Sequence, residues 1–138
     1  MNIQMSFMTQ MEIGKSIEKG MSVIVPTGAT EAHGPHMPID TDTHQSEFIA
    51  IKLAERINAL VAPPVAYGVS MTFENFPGTI SLTIPTYQKM LFEIGSALIK
   101  QGFKHLILLN GNRPSGTSND QVARFLIDEL DNDYNFKV

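Results

Sequence analysis

Apolar and polar residues recur with two different spacings along this chain, which predicts helices alternating with strands. Helical spacing covers residues 9–19, 44–60, 85–102 and 116–133. Short apolar runs typical of buried strands cover residues 22–26 and 104–110, the second of which we expect to be covered on both faces. A further strand is predicted within residues 60–68, interrupted by two prolines, and a short one at residues 80–83. Such alternation favours an α/β fold with a mostly parallel sheet between helices.

Residues around each helix predict where it begins and which face it buries. Asp42 or Thr43 is placed to cap the second helix, and Thr83 or Thr86 the third, where Pro85 fits the first turn. The apolar positions expected to face a core are Met11, Ile13 and Ile17 in the first helix, Phe48, Ile49, Ile51, Leu53, Ala54, Ile57 and Leu60 in the second, and Val122, Phe125, Leu126 and Leu130 in the last.

Composition narrows the class of protein. The chain has 138 residues, of which 43% are hydrophobic and 17% charged, as expected of a single globular domain over residues 1–138. The net charge is −4 and the basic residues are scattered, which argues against a nucleic-acid partner. No apolar run approaches the ~18 residues of a membrane span, and the first residues do not resemble a signal peptide. We therefore expect a cytoplasmic protein without a membrane partner.

A cluster of metal-binding residue types follows the first predicted strand. The stretch TGATEAHGPHMPIDTDTHQ holds three of the four histidines, and the chain has no cysteine, so a metal site must use His, Asp and Glu. Glu31 and His33 are two residues apart and point to the same side of an extended chain. With Asp42 they offer ligands suited to zinc, manganese or iron, and such an ion activates water for attack on a carbonyl.

The same residues also have purely structural interpretations. Asp40 suits a turn, Asp42 a helix cap, His36 a backbone hydrogen bond, and His44 a solvated first turn. His105, at the start of an apolar strand, is better explained as a structural histidine than as a ligand. Both interpretations remain open at this point. Ligands of open parallel sheets bind beyond the carboxyl ends of the strands, and the loops after residues 22–26 and 104–110 both leave that edge.

Four motifs in succession resemble the creatininase (creatinine amidohydrolase) family. VPTGATEAHGPHMPIDTDT resembles its signature, Pro-x-Gly-x-x-Glu-x-His-Gly-x-His-x-Pro followed by an Asp. APPVAYGVS, FPGTISL and QGFKHLILLNGN resemble its second strand, its Pro-Gly-Thr segment and the strand leading to its Asn-Gly-His motif. The resemblance covers residues from about 8 to 131.

The resemblance implies a three-layer α/β/α fold, a two-metal site with zinc or manganese, and hydrolysis of amide-type C–N bonds in a small cyclic or linear substrate. By this resemblance Glu31 and His33 match metal ligands, Asp42 matches the carboxylate between the two metals, His36 matches a histidine beside the site that we take with Glu31 as catalytic, and Gly78 and Thr79 match a loop near the substrate pocket.

Two departures from the family pattern alter this expectation. Asn112 stands where the family has a histidine ligand, and Pro114 where some members have a ligating acid, so one ion instead of two is an open alternative. Asn119 and Asp120 are candidates to compensate. Asn112 and its neighbour Arg113 are also candidate substrate-binding residues, because Arg113 suits a carboxylate or phosphate.

The chain is also much shorter than family members usually are, and their later half supplies further strands and pocket residues. We therefore expect a homo-oligomer, as the family commonly forms hexamers, or a partner chain that supplies the missing half. The favoured function is a metal-dependent amidohydrolase that uses an ion-activated water. The alternatives are a non-catalytic or half-site subunit with weakened metal binding, and a small-molecule binding module anchored by Arg113.

Overall fold

Helices and strands alternate along the chain, as the apolar pattern predicts. The computed structural model describes residues 2–130 and 133–138. The helices are α1 (Gln10–Glu18), α2 (Thr41–Ile57), α3 (Ile84–Lys100) and α4 (Gly116–Leu130), and the strands are β1 (Ser22–Thr27), β2 (Ala59–Val61) and β3 (Leu106–Asn110). Short 3-10 turns lie at Met5–Phe7, Met71–Phe73 and Arg113–Ser115. No helix in this described part is long and apolar enough to cross a membrane.

The three strands form one parallel sheet in the order β2-β1-β3. Val23 of the central strand β1 is in register with Leu60 on one side and Leu106 on the other. At the far end, Thr27 pairs with Asn110, so β1 and β3 end at the same edge of the sheet. The predicted parallel sheet is confirmed, and the loops after β1 and β3 leave it side by side.

Helices cover both faces of the sheet. On one face α2 packs its small residues Ala50 and Ala54 against Ile24 of β1. On the other face α3 and α4 bring Tyr87, Leu91 and Leu126 into a larger core. Helix α1 adds Ile13 and Ile17 to that second core. The fold is thus a three-layer α/β/α arrangement, as expected.

Helix α3 begins where its sequence predicts, whereas α2 does not. The Thr83 hydroxyl accepts the backbone N–H of Thr86, and Pro85 lies in the first turn of α3. Helix α2 begins at Thr41, three residues before the predicted start, so Asp42 and Thr43 lie inside its first turn and do not cap it. The reason is local, since the Thr41 backbone N–H and hydroxyl both donate to the carbonyl of Pro38.

Some predicted core positions are on the surface instead. Met11, Phe48 and Phe125 are 73%, 63% and 50% exposed, although their helical spacing predicted burial. Ile49 and Ile57 at the flanks of α2 are also exposed. Helix α2 contacts the sheet through a narrow stripe of alanines, so its larger side chains Phe48, Ile49 and Ile57 lie outside the contact.

Two strand predictions need correction, and one helix end is not described. Residues 80–83 form no strand, because only Ile80 makes a bridge, antiparallel with Thr30, and Leu82 instead donates its N–H to Gly68 of a neighbouring loop. The second correction concerns β3, which the sequence predicts to be covered on both faces. Its residues after Leu106 are only part-buried or exposed, because β3 is an edge strand of the described sheet. Asp131 and Asn132, within the predicted last helix, lie outside the described residues.

Candidate metal centre

Three side chains meet just beyond the carboxyl end of β1. Glu31 and His33 lie in the loop after β1, and Asp42 lies in the first turn of α2. Their potential ligand atoms all lie within 4.8 Å of one another. His33 Nε2 is 3.0 Å from Asp42 Oδ1 and 3.9 Å from Glu31 Oε1. Glu31 and Asp42 are only 6% and 8% exposed, so two buried carboxylates face one imidazole.

The loop after β1, which carries the candidate ligands Glu31 and His33 and is called the ligand loop below, is held by hydrogen bonds on both sides. The Glu31 N–H donates to the carbonyl of Ile39 at 2.8 Å, which closes the loop on itself. The Ala32 N–H donates to Thr79 Oγ1 at 3.0 Å, which ties it to the loop before α3. The backbone therefore fixes the positions of Glu31 and His33.

The orientation of the His33 ring follows from its other nitrogen. Nδ1 lies 3.0 Å from the carbonyl oxygen of Glu31, which can only accept, so Nδ1 carries the proton and Nε2 faces the carboxylates. Burial alone lowers the pKa of His33, but the bond to the Glu31 carbonyl and the charges of Asp42 and Glu31 outweigh it and raise that pKa above its ordinary value. The surroundings of His33 Nε2 therefore favour a positive charge.

The charge and donor types of this group fit a divalent metal. In the described part of the chain, His33 is the one basic side chain within ion-pair distance of either carboxylate. Two buried carboxylates close together are costly unless a cation compensates them. Two carboxylate oxygens and one imidazole nitrogen are ligands suited to zinc or manganese. The residues therefore match the type of centre expected from the sequence.

Asn112 lies directly behind the two carboxylates and is 1% exposed. Its Nδ2 donates to Glu31 Oε2 at 3.1 Å and to Asp42 Oδ2 at 2.9 Å. Its Oδ1 accepts the backbone N–H of Ser115 at 3.1 Å and the Ser115 hydroxyl at 2.7 Å. The amide thus presents its NH₂ group, and not its oxygen, to the carboxylates.

Sequence reasoning did not find the part played by Ser115. The signal was present as the spacing Asn-x-x-Ser, in which an asparagine side chain accepts the backbone N–H three residues later. Asn112 does this at the start of the turn Arg113–Ser115. Only the fold, however, reveals that the remaining amide hydrogens reach Glu31 and Asp42.

The other predicted site residues lie on the loops that carry the cluster or on neighbouring loops, and none belongs to the group of Glu31, His33 and Asp42. His36 is exposed, and its ring lies close to Gly34, whose positive φ of 74° turns the loop there. Gly78 also has a positive φ, 87°, and approaches Ile39. Arg113 is exposed at the start of its turn. Thr79, as described above, holds the backbone of the ligand loop.

The residues with a structural interpretation lie outside the cluster. Asp40, just before α2, and His44 in its first turn form an ion pair of 2.8 Å at the surface. His105 is exposed at the start of β3. Asn119 bonds to Tyr87 and Thr27 in a separate buried network, and Asp120 is exposed. Neither Asn119 nor Asp120 therefore approaches the carboxylates in the way the sequence left open.

An apolar cleft of about 460 Å³ adjoins the ligand loop. Residues on either side of His33 line it, together with aromatic rings from the segment after β2. The lining residues are Ala32, Gly34, Pro35, Phe73, Phe76 and Pro77. The loop that carries the ligands therefore also forms one wall of an apolar surface.

Comparison with known proteins gives one consistent family. The family model for creatininase, described as creatinine amidohydrolase, matches residues 6–138. The mycofactocin precursor peptide peptidase of Mycolicibacterium smegmatis is 41% identical over 96 residues, which are 65% of this chain and 38% of that protein.

Solved structures agree with this assignment. A creatininase structure described as the Mn form superposes with a TM-score of 0.93 at 28% identity, covering 100% of this chain and 57% of the other. A creatininase variant described as Zn–Zn type gives a TM-score of 0.88 at 28% identity, covering 96% and 54%. The chain thus spans about four tenths of the peptidase and little more than half of the creatininases. With its fold, its ligand cluster and these matches, the chain belongs to the creatininase (creatinine amidohydrolase) family.

Proposed function

We propose that this chain is a metal-dependent hydrolase that cleaves amide-type C–N bonds. The observation that supports this most directly is the convergence of Glu31, His33 and Asp42, two buried carboxylates and one imidazole, at the carboxyl edge of a parallel sheet. Zinc and manganese are the proposed ions, because both suit this donor set and both occur in the names of similar structures.

The proposed roles of the residues follow from their positions. In this proposal Glu31, His33 and Asp42 hold the ion, and the Glu31 carboxylate is also the proposed proton acceptor. When bound, a divalent ion supplies Lewis acidity that polarises a carbonyl and acidifies a water. His36, exposed three residues after His33, is the proposed group that exchanges protons with the leaving amine. Thr79 orients the loop through Ala32.

The proposed substrate is a small molecule or short peptide with an amide bond. Relatives of the chain are named for a peptide peptidase and for creatinine amidohydrolase, which share cleavage of such bonds. The apolar cleft beside His33 suits an apolar substituent of the substrate, and Gly78 lies on the neighbouring loop. Arg113, exposed after the buried Asn112, is the proposed anchor for a substrate carboxylate.

The direct test is hydrolysis by the purified chain loaded with Zn²⁺ or Mn²⁺. Creatinine and a panel of short peptides are supplied, and products are followed by mass spectrometry. Asp42→Ala should lower kcat/KM by at least about 100-fold, since loss of residues merely supporting a metal ligand costs 10–100-fold. Asp40→Ala, which removes an exposed carboxylate two residues earlier, is the matched control and should retain activity. A metal-loaded chain without turnover on any substrate would contradict the proposal.

A second copy of this chain or a separate chain is proposed to pack against β3. Ile107, Leu108 and Leu109 of β3 are only part-buried, while Val23, Ile24 and Val25 of β1 are fully buried. An outer strand with apolar side chains favours association. Analytical ultracentrifugation should therefore show a homo-oligomer. A monomer at all concentrations would exclude a second copy as the partner.

Asn112 favours one alternative, a half-site subunit that binds metal without catalysis. It stands at the position of a histidine ligand in the family pattern. Its amide donates one hydrogen bond to each carboxylate, and these bonds do not require an ion. In that case the chain binds metal but shows no turnover alone, and activity appears only on mixing with a partner chain. The hydrolysis assay above separates the two functions.

A further inference from the structure

Asn112 and Ser115 form a buried unit whose hydrogen bonds have a fixed direction. The backbone N–H of Val69 donates to Ser115 Oγ at 3.0 Å, so the proton of that hydroxyl must point elsewhere. The hydroxyl donates to Asn112 Oδ1 at 2.7 Å, which also accepts the Ser115 backbone N–H. Because two donors reach the same atom, that atom is the amide oxygen, and the NH₂ group faces the opposite way.

The NH₂ group divides the four carboxylate oxygens into two pairs. It donates one hydrogen to Glu31 Oε2 and the other to Asp42 Oδ2, at 3.1 and 2.9 Å. The remaining oxygens, Glu31 Oε1 and Asp42 Oδ1, are the ones nearest His33 Nε2. Oε2 and Oδ2 therefore accept hydrogen bonds from the neutral amide, and only Oε1 and Oδ1 face the imidazole nitrogen.

A flip of the Asn112 amide, which would free Glu31 Oε2 and Asp42 Oδ2, is unfavourable in these surroundings. A turned amide would place NH₂ against the Ser115 backbone N–H, donor against donor. It would also remove the donors from Glu31 Oε2 and Asp42 Oδ2. Asn112 and Ser115 are 1% and 0% exposed, so water does not replace these bonds. The fixed N–H groups repel a cation from the space in front of these two oxygens.

We propose that Asn112 limits the centre to a single divalent ion, an inference that rests on the proposed metal-dependent function. Glu31 Oε1, Asp42 Oδ1 and His33 Nε2 bind that ion, while the amide holds the two carboxylates from behind in place of a second ion. Ser115 is a positioning residue that keeps the amide in this orientation. The metal content is thus set by one hydrogen-bonding side chain.

The first test is metal stoichiometry by equilibrium dialysis against Zn²⁺ or Mn²⁺, followed by elemental analysis. The wild-type chain should bind one ion. Asn112→Asp has nearly the same size but replaces the NH₂ donor with an acceptor oxygen, and it should bind two. Asn110→Asp is the matched control, because it adds the same charge nearby and keeps the Oδ1 atom that accepts the Asn112 N–H. It should still bind one.

The second test needs no variant, so it holds even where Asn112→Asp fails to fold. The Mn²⁺-loaded wild-type chain should give the electron paramagnetic resonance signal of an isolated ion. Two ions per wild-type chain, an exchange-coupled signal, or a folded Asn112→Asp that binds only one ion would overturn the inference. One bound ion without any hydrolysis would contradict the proposed function and leave this inference standing. Two ions with turnover would do the reverse.

Discussion

Two glycines determine how closely the end of the sheet approaches the first turn of α2. A Cβ atom on Gly28 would lie 2.5 Å from Thr43 Cα, and one on Gly111 would lie 2.4 Å from the Asp42 carbonyl oxygen. Both contacts are with backbone, which cannot rotate away as a flexible side chain can. The absence of side chains at Gly28 and Gly111 therefore places Asp42 beside Glu31.

Replacing Gly111 should show this directly. Gly111→Ala would push the first turn of α2 away, lowering the free energy of unfolding by about 1–3 kcal/mol, the usual cost of overpacking. It should also weaken metal binding, because Asp42 moves with the helix. Urea denaturation and metal titration measure the two effects.

Gly14→Ala is the matched control for Gly111→Ala. Gly14 lies inside α1, and a Cβ there would meet nothing within 4 Å. The substitution should stabilise the chain by about 1 kcal/mol through helix propensity alone. Equal effects of the two alanines would contradict the packing argument.

At this same scale, part of the candidate site could be predicted from the sequence. The spacing of Glu31 and His33 placed both on one side of an extended chain, and the structure brings them together with Asp42. The partners of the Asn112 NH₂ group could not be predicted, because only the fold brings Glu31 and Asp42 to it.

At the scale of elements, a buried polar chain joins two helices to the central strand. The Tyr87 hydroxyl of α3 donates to Asn119 Oδ1 of α4 at 2.7 Å, and Asn119 Nδ2 donates to Thr27 Oγ1 of β1 at 2.9 Å. Burial raises the pKa of Tyr87, and hydrogen bonds involving Thr27, Ser115 and Asn119 offset part of that rise. The helices are thus fixed to the strand end that precedes the ligand loop.

Tyr87→Phe should therefore destabilise the fold. It leaves Asn119 Oδ1 buried without its donor, which costs about 1–3 kcal/mol of unfolding free energy. Tyr67→Phe, at a tyrosine that is 48% exposed, is the control and should change stability by no more than about 0.5 kcal/mol. Chemical denaturation of both variants gives the comparison, and similar values would argue against the network.

Sequence-based prediction of the elements succeeded where the signals were local. Helix α3 has its cap at Thr83 and its proline in the first turn, so its start follows from neighbouring residues. The earlier start of α2 follows from the hydrogen bonds of Thr41 to the carbonyl of Pro38, which spacing of apolar residues does not reveal. The absence of a strand at residues 80–83 depends on contacts with other loops. The apolar pattern carries no information about such contacts.

At the scale of the whole molecule, the proposed metal binding should be linked to folding. The proposed ligands come from the loop after β1 and from α2, and Asn112 comes from the segment after β3. An unfolded chain does not hold these groups together, so an ion that binds only the folded state stabilises all of it.

The unfolding temperature should consequently rise with metal. At a free ion concentration 100 times the Kd, linkage adds about 2.7 kcal/mol to the unfolding free energy. Differential scanning calorimetry with Zn²⁺ and with a chelator should resolve the shift. It should vanish in Asp42→Ala and persist in Asp40→Ala, and a shift that persists in Asp42→Ala would place the ion elsewhere.

The parallel pairing of β1 with β3 also determines when the candidate site forms during folding. Asn112 contacts Glu31 from 81 residues away in sequence, and parallel pairing across such a separation closes a long loop late and slowly. On the ribosome, Glu31, His33 and Asp42 are all synthesised well before the amide that holds them. The hydrogen bonds that hold the two carboxylates therefore form only after β3 has paired with β1.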